Sequence, residues 1–122
     1  VYKRQKEGYG FYTFKDKGSL VSSVGSGILI EDGHCTYLSD KRWILNDTYP
    51  DRERFQHVHL FDTVTGTKIP LADLHSPFPY TGEWRCDTHP RSSADGTKIV
   101  VDSPHGGDGR QLHMIDIGEY IS

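Results

Sequence analysis

The sequence predicts an all-β protein whose antiparallel strands form propeller-type blades, two with four strands each and a partial third. Three observations lead to this prediction. The chain contains an internal repeat with a period of about 55 residues. Its apolar segments are short, and they either are rich in β-branched and aromatic residues or alternate with polar residues, as strands do. No segment keeps a 3.6-residue period, so almost no helix is expected.

The repeat becomes visible when the chain is aligned with itself at an offset of 55 residues, which falls to 54 after a one-residue deletion. Each unit contains a histidine, a short strand, a tight turn, an apolar strand, a loop and a strand that ends in aspartate. Units of about 40–55 residues with four short antiparallel strands are typical of propeller blades. The matched segments are His34 with His89, residues 39–45 with 94–100, and residues 57–62 with 111–116.

Turn signals separate the predicted strands. The Asp-Gly pair in residues 94–97 favours a hairpin, and residues 62–66 and 14–18 form similar turns. Pro70 interrupts the last strand of the first full unit, which we expect to be short and at a sheet edge. The stretch before residue 25 resembles the second half of a unit. The predicted boundaries are a partial blade at 1–25 and full blades at 26–72 and 73–122.

Two and a half blades are fewer than the roughly 4–8 that close a propeller ring. We therefore expect the chain either to be part of a longer propeller or to self-associate. Its 14 basic and 17 acidic residues argue against a nucleic-acid binder, and no apolar run is long enough for a membrane span. The two cysteines, Cys35 and Cys86, permit one disulfide bridge at most.

An Asp-Gly-His motif stands at residues 32–34, and a Ser-Ala-Asp-Gly turn stands at residues 93–96. With these motifs, residues 32–62 and 83–116 resemble the TolB-like propellers, and within them the oligogalacturonate-lyase-like group. The resemblance implies a manganese ion in the central channel, held by three histidines and a glutamine. Here Asp87 stands in the place of one histidine and Trp84 in that of the glutamine. Aspartate can bind manganese, whereas tryptophan cannot.

The residues themselves point to a similar site. Equivalent positions of successive blades lie side by side, so His34 and His89 should approach each other, with Asp87 on the same face as His89. Two imidazoles and a carboxylate suit manganese, iron or zinc. The alternative is that each histidine only hydrogen-bonds the neighbouring blade. We predict Mn²⁺ or another divalent metal as the cofactor, with His34, Asp87 and His89 as its ligands.

Two further residues are candidates for substrate binding. Arg85 can pair with a uronate carboxylate or can instead bridge blades, and His105 lies in a glycine-rich loop from which it can reach a ligand or remain a mobile tip. No residue of the chain is assigned as the catalytic base. The predicted function is the metal-binding part of a lyase that cleaves acidic oligosaccharides. The alternative is a non-catalytic propeller module that binds a protein or a glycan.

The alternation of residues also predicts which side chains are buried. His57, His59 and His113 are expected on an exposed cross-strand face, and the charged loop 51–54 is expected to be solvated. The expected core consists of Phe11, Ile28, Trp43, Leu45, Leu60, Ile99, Val101, Met114 and Ile115.

Overall fold

The computed structural model describes residues 2–3 and 10–122, and it confirms the all-β prediction. Three antiparallel sheets follow one another along the chain, and we number them in that order. Sheet 1 contains β1 (Tyr2–Lys3), β2 (Phe11–Phe14) and β3 (Val21–Val24). Sheet 2 contains β4 (Cys35–Tyr37), β5 (Trp43–Asp47), β6 (Phe55–Asp62) and β7 (Thr67–His75). Sheet 3 contains β8 (Arg91–Ser92), β9 (Lys98–Ser103) and β10 (Gln111–Asp116).

Helical structure in the described residues is limited to a 3₁₀ turn at Gly82–Trp84 and the four-residue helix α1 (Gly118–Ile121). Because the chain enters α1 directly after β10, sheet 3 has three strands rather than the four that the repeat predicted. None of the described helices is long and apolar enough to cross a membrane.

Sheet 2 is a complete four-stranded meander in the order β4-β5-β6-β7. Its last strand lies at the edge, as expected, but it has nine residues and is therefore not short. The register between β6 and β7 shifts at Val58/His59, opposite Pro70. This bulge accommodates the proline, which has no N–H to donate, and the strand continues beyond it.

The aspartates that recur in the repeat stabilise its turns. The carboxylate of Asp62 accepts the backbone N–H of Val64, and that of Asp116 accepts the N–H of Gly118. In the third sheet Asp95 accepts hydrogen bonds from Ser93 and Thr97, which lower its pKa to about 2. An aspartate side chain that binds an N–H two residues further on replaces a backbone turn contact. The repeated aspartates thus have a local role, in the turns that follow or connect the strands.

Sheet 2 lies between the other two sheets. One of its faces packs on sheet 1, where Ile44 and Phe61 contact Phe11 and Leu29. The other face packs on sheet 3 and forms the larger apolar cluster. That cluster contains Leu38, Trp43, Leu45, Val58, Leu60 and Leu74 together with Ile99, Val101 and Ile117.

Most of the expected core is buried, including Phe11, Trp43, Leu45, Leu60, Ile99 and Val101, and Ile115 is partly buried. Two expectations are wrong. Ile28 is 39% exposed because the turn that carries it directs the neighbouring Leu29 inward instead. Met114 is 67% exposed because it lies on the face of β10 that points away from sheet 2.

The expectation of an exposed histidine face is wrong for His59, which is buried on the sheet-2 side that faces sheet 1. Burial lowers its pKa to about 4, with further contributions from the charges of Lys68 and His57. His57 is partly buried, which disfavours its charged form. Hydrogen bonds to Asp73 and Asp51, at 2.6 and 2.9 Å, outweigh that effect and raise its pKa.

Candidate metal centre

Two loops bring together His34, Asp87 and His89. His34 directly precedes β4 of sheet 2, and the other two precede β8 of sheet 3. Their potential ligand atoms all lie within 4.8 Å of one another, and the two imidazole centroids are 4.1 Å apart. Ligands on a common ion, bound at about 2.0–2.2 Å, lie about 3 Å apart. Small side-chain movements would therefore bring the three onto one metal.

Asp47 orients the first histidine. Its carboxylate oxygens lie 3.1 and 3.2 Å from Nδ1 of His34, and it also accepts the backbone N–H of His34 at 2.6 Å. Because a carboxylate only accepts hydrogen bonds, this contact assigns the proton to Nδ1 and leaves Nε2 free as a ligand. A carboxylate behind a histidine is the usual support of a metal-binding imidazole.

The same carboxylate connects sheet 2 to the loop that carries the other two residues. The hydroxyl of Thr88 donates to Oδ2 of Asp47, and both side chains are almost completely buried. On the other side, Gly33 allows the loop that carries His34 to lie directly against Asp47, since a Cβ there would be 1.8 Å from the carbonyl oxygen of Asp47. Asp47 therefore holds the two loops at a fixed separation.

The backbone of His89 is strained. Its φ of +40° lies in the left-handed region, which non-glycine residues rarely adopt. Arg91 stabilises this conformation by donating to the carbonyl of His89 at 2.7 Å and to Asp102 at 3.0 Å. Strained backbone of this kind is concentrated at functional sites. The strain at His89 thus supports the interpretation of this loop as a site.

Arg85 lies beside His34, Asp87 and His89, as its position in the sequence suggested, and its side chain contacts other residues of the protein. Its Nε is 3.2 Å from the carboxylate of Asp87, and its guanidinium lies over the ring of Tyr49. Tyr49 in turn contacts the edge of His34, with centroids 5.6 Å apart. The side chain of Arg85 remains 61% exposed. It can therefore bind a ligand carboxylate while it stays beside Asp87.

His105 does not join this group. Its ring contacts that of His113, with centroids 4.3 Å apart and the planes inclined at 46°, and its Nδ1 lies 2.8 Å from the hydroxyl of Ser103. Burial, together with the charge of His113, lowers its pKa. His105 is absent from the lining of the two cavities that adjoin Asp87. The structure therefore brings together four of the five candidate residues.

These two cavities contain arginines that sequence reasoning did not select. One cavity, of about 220 Å³, is lined by Arg54, and the other, of about 480 Å³, by Arg110; Arg85 contributes to both. Arg54 belongs to the loop that was expected to be solvated, yet its guanidinium donates to the carbonyls of Ser76 and Tyr80. Because Arg54 lies in a run of alternating charges at residues 51–54, nothing in the sequence distinguished it from a solvated residue.

Asp47 was also missed, although the repeat contained a signal. Asp47 and Asp102 are equivalent at the 55-residue offset, and both pair with a basic or imidazole side chain. Aspartate is typical of turns, so its recurrence within the last two residues of a strand is unusual. Only the fold shows that one copy supports a histidine of the site.

No protein-family model matches the chain, and neither a curated protein nor a solved structure shows significant similarity to it. The chemistry of the site consequently has to be inferred from its own residues.

Proposed function

We propose that this chain is the metal-binding part of an oligogalacturonate-lyase-like β-propeller that acts on acidic oligosaccharides by β-elimination. The observation that carries the proposal is the group of His34, Asp87 and His89, supported from behind by the buried Asp47. Two nitrogen donors and one oxygen donor form a set that fits Mn²⁺, Fe²⁺ or Zn²⁺. Three protein ligands would leave coordination positions open for a substrate.

In this reaction a base removes the proton at C5 of a uronate, a C4–C5 double bond forms as the C4–O bond breaks, and the leaving oxygen takes up a proton to become a hydroxyl group. A bound divalent ion supplies Lewis-acid stabilisation of the negative charge that develops next to the carboxylate. Arg85 and Arg110, which line the same cavity as Asp87 and His89, would bind ligand carboxylates. The contact with Asp47 keeps the proton of His34 on Nδ1, so that the unprotonated Nε2 would be available to hold the ion.

The alternative is a non-catalytic propeller module that binds a glycan or a protein. It is favoured by two exposed aromatic side chains on the segment between sheets 2 and 3. Phe78 is 72% exposed and Trp84 is 70% exposed, and flat aromatic surfaces of this kind are suited to stacking on sugar rings. Arg54 lies over the ring of Phe78 and keeps it in place. This module would need no metal.

Metal titration separates the two proposals. The chain is first treated with a chelator and dialysed, and Mn²⁺ is then added while the free ion is followed by electron paramagnetic resonance. We expect one equivalent to bind, and His89→Ala to lower the affinity by at least about tenfold because a ligand is lost. His75→Ala is the matched control, since His75 is an exposed histidine outside the site.

The metal-binding part of the proposal fails if Mn²⁺ does not bind, or if His89→Ala and His75→Ala bind it equally well. The substrate is tested with an oligogalacturonate, whose binding should require the metal and should weaken in Arg85→Ala. Binding that is independent of the metal supports the non-catalytic module. Ultraviolet absorbance of an unsaturated product reports whether elimination occurs.

A further inference from the structure

We propose that the outer face of sheet 3 docks the outer face of sheet 1 of a second copy of this chain, head to tail. The outer face of sheet 3 is the side turned away from sheet 2, which carries Val100, Leu112 and Met114. Leu112 is 68% exposed and Met114 is 67% exposed. The proposal depends on the packing of the repeat and not on the metal centre.

In the repeat, this face of sheet 3 is equivalent to a face of sheet 2 that is buried. At the 54-residue offset, Leu112 is equivalent to Val58 and Met114 to Leu60. Val58 and Leu60 are at most 1% exposed because they pack against sheet 3. The side of sheet 3 that carries Leu112 and Met114 therefore corresponds to the side of sheet 2 that the next sheet covers.

The opposite faces of sheets 2 and 3 are also equivalent in the repeat. Ile44 and Phe61 of sheet 2 face the preceding sheet, and their equivalents Ile99 and Ile115 of sheet 3 also face the preceding sheet. Each sheet thus presents one face backward and the other forward. A sheet that covers the outer face of sheet 3 must do so with its backward face.

In a second copy of the chain, sheet 1 has a backward face that no sheet covers among the described residues. In sheet 1, Phe11 and Val24 point towards sheet 2, so the opposite side is the backward face. This side carries Val21, which is 46% exposed. Two copies joined at both ends would contribute six sheets, within the roughly 4–8 that close a propeller ring. Head-to-tail contacts that close in this way form a ring instead of a filament.

The test is the molar mass of the full chain by sedimentation, measured over a wide range of concentrations. The expected species is a dimer with twice the 13.8 kDa of one chain. Met114→Asp and Val21→Asp should each give monomers, because each removes one side of the contact. Val64→Asp is the control, since Val64 is 73% exposed in the turn between β6 and β7. Circular dichroism checks that each variant remains folded.

Mixing the two monomeric variants distinguishes the head-to-tail contact from other arrangements. One variant keeps an intact sheet-1 face and the other an intact sheet-3 face, so the mixture should recover a weaker one-to-one dimer. A monomeric wild-type chain would overturn the proposal. So would a Val21→Asp variant that still dimerises alone, because the head-to-tail contact requires an intact sheet-1 face.

Discussion

Replacement of Asp47 by asparagine separates the structural role of this residue from its role at the metal centre. In the native protein the carboxylate accepts hydrogen bonds from the backbone N–H and Nδ1 of His34 and from the hydroxyl of Thr88. Asparagine keeps the shape and can retain neutral hydrogen bonds to both neighbours, but it loses the charge. Hydrogen bonds to a charged group contribute about 1.5–3 kcal/mol and neutral ones about 0.5–1.5 kcal/mol.

The free energy of unfolding, measured by urea denaturation, should therefore fall by about 1–2 kcal/mol in Asp47→Asn. The affinity for Mn²⁺ should fall by about 10–100-fold, because the imidazole of His34 loses its carboxylate support. Asp62→Asn is the control: it removes the charge of another buried aspartate, which binds Arg42 and the backbone N–H of Val64 outside the site, and so it costs stability without touching the contact between Asp47 and His34. Its affinity for Mn²⁺ should change little.

The two measurements have separate consequences. If Asp47→Asn loses stability as expected but binds Mn²⁺ as tightly as the native chain, then Asp47 does not position a metal ligand. If its stability is unchanged, then the hydrogen bonds between sheet 2 and the loop before β8 do not contribute to folding as described.

Two further perturbations test the fold around the site. The pKa of His59 is lowered to about 4 in the folded chain, so between this value and about 6.5 the folded state binds fewer protons than the unfolded state. The free energy of unfolding should therefore fall by up to about 3 kcal/mol as the pH is lowered from about 6.5 to about 4. Urea denaturation across this range should show that His59→Gln lacks most of this loss, and an equal loss in both proteins would contradict the assignment. Gly33→Ala should destabilise the chain by more than about 2 kcal/mol, because its Cβ would overlap the carbonyl of Asp47. A thermal melt matching that of the control Gly106→Ala, whose Cβ would meet no atom within 4 Å, would contradict this prediction.

The hairpins and strands followed from the sequence because their signals are local. The Asp-Gly pair at residues 95–96 acts within a few residues of the chain, and the structure contains the hairpin that it predicts between β8 and β9. The approach of His34 and His89 was predicted from equivalence alone, since equivalent positions of stacked repeats are neighbours. The length of β7 was not predicted, because the bulge opposite Pro70 depends on the partner strand.

By itself, the sequence determined the all-β class, the positions of most strands and the pair of histidines that the repeat superimposes. The tertiary structure decided which faces are covered: the same alternation buries His59 under sheet 1 and leaves Met114 exposed on β10. It also decided that Asp47 supports His34 and that Arg85 pairs with Asp87. The physical reason is that hydrogen bonds in a turn depend on adjacent residues, whereas burial and ion pairing between sheets depend on how distant segments pack.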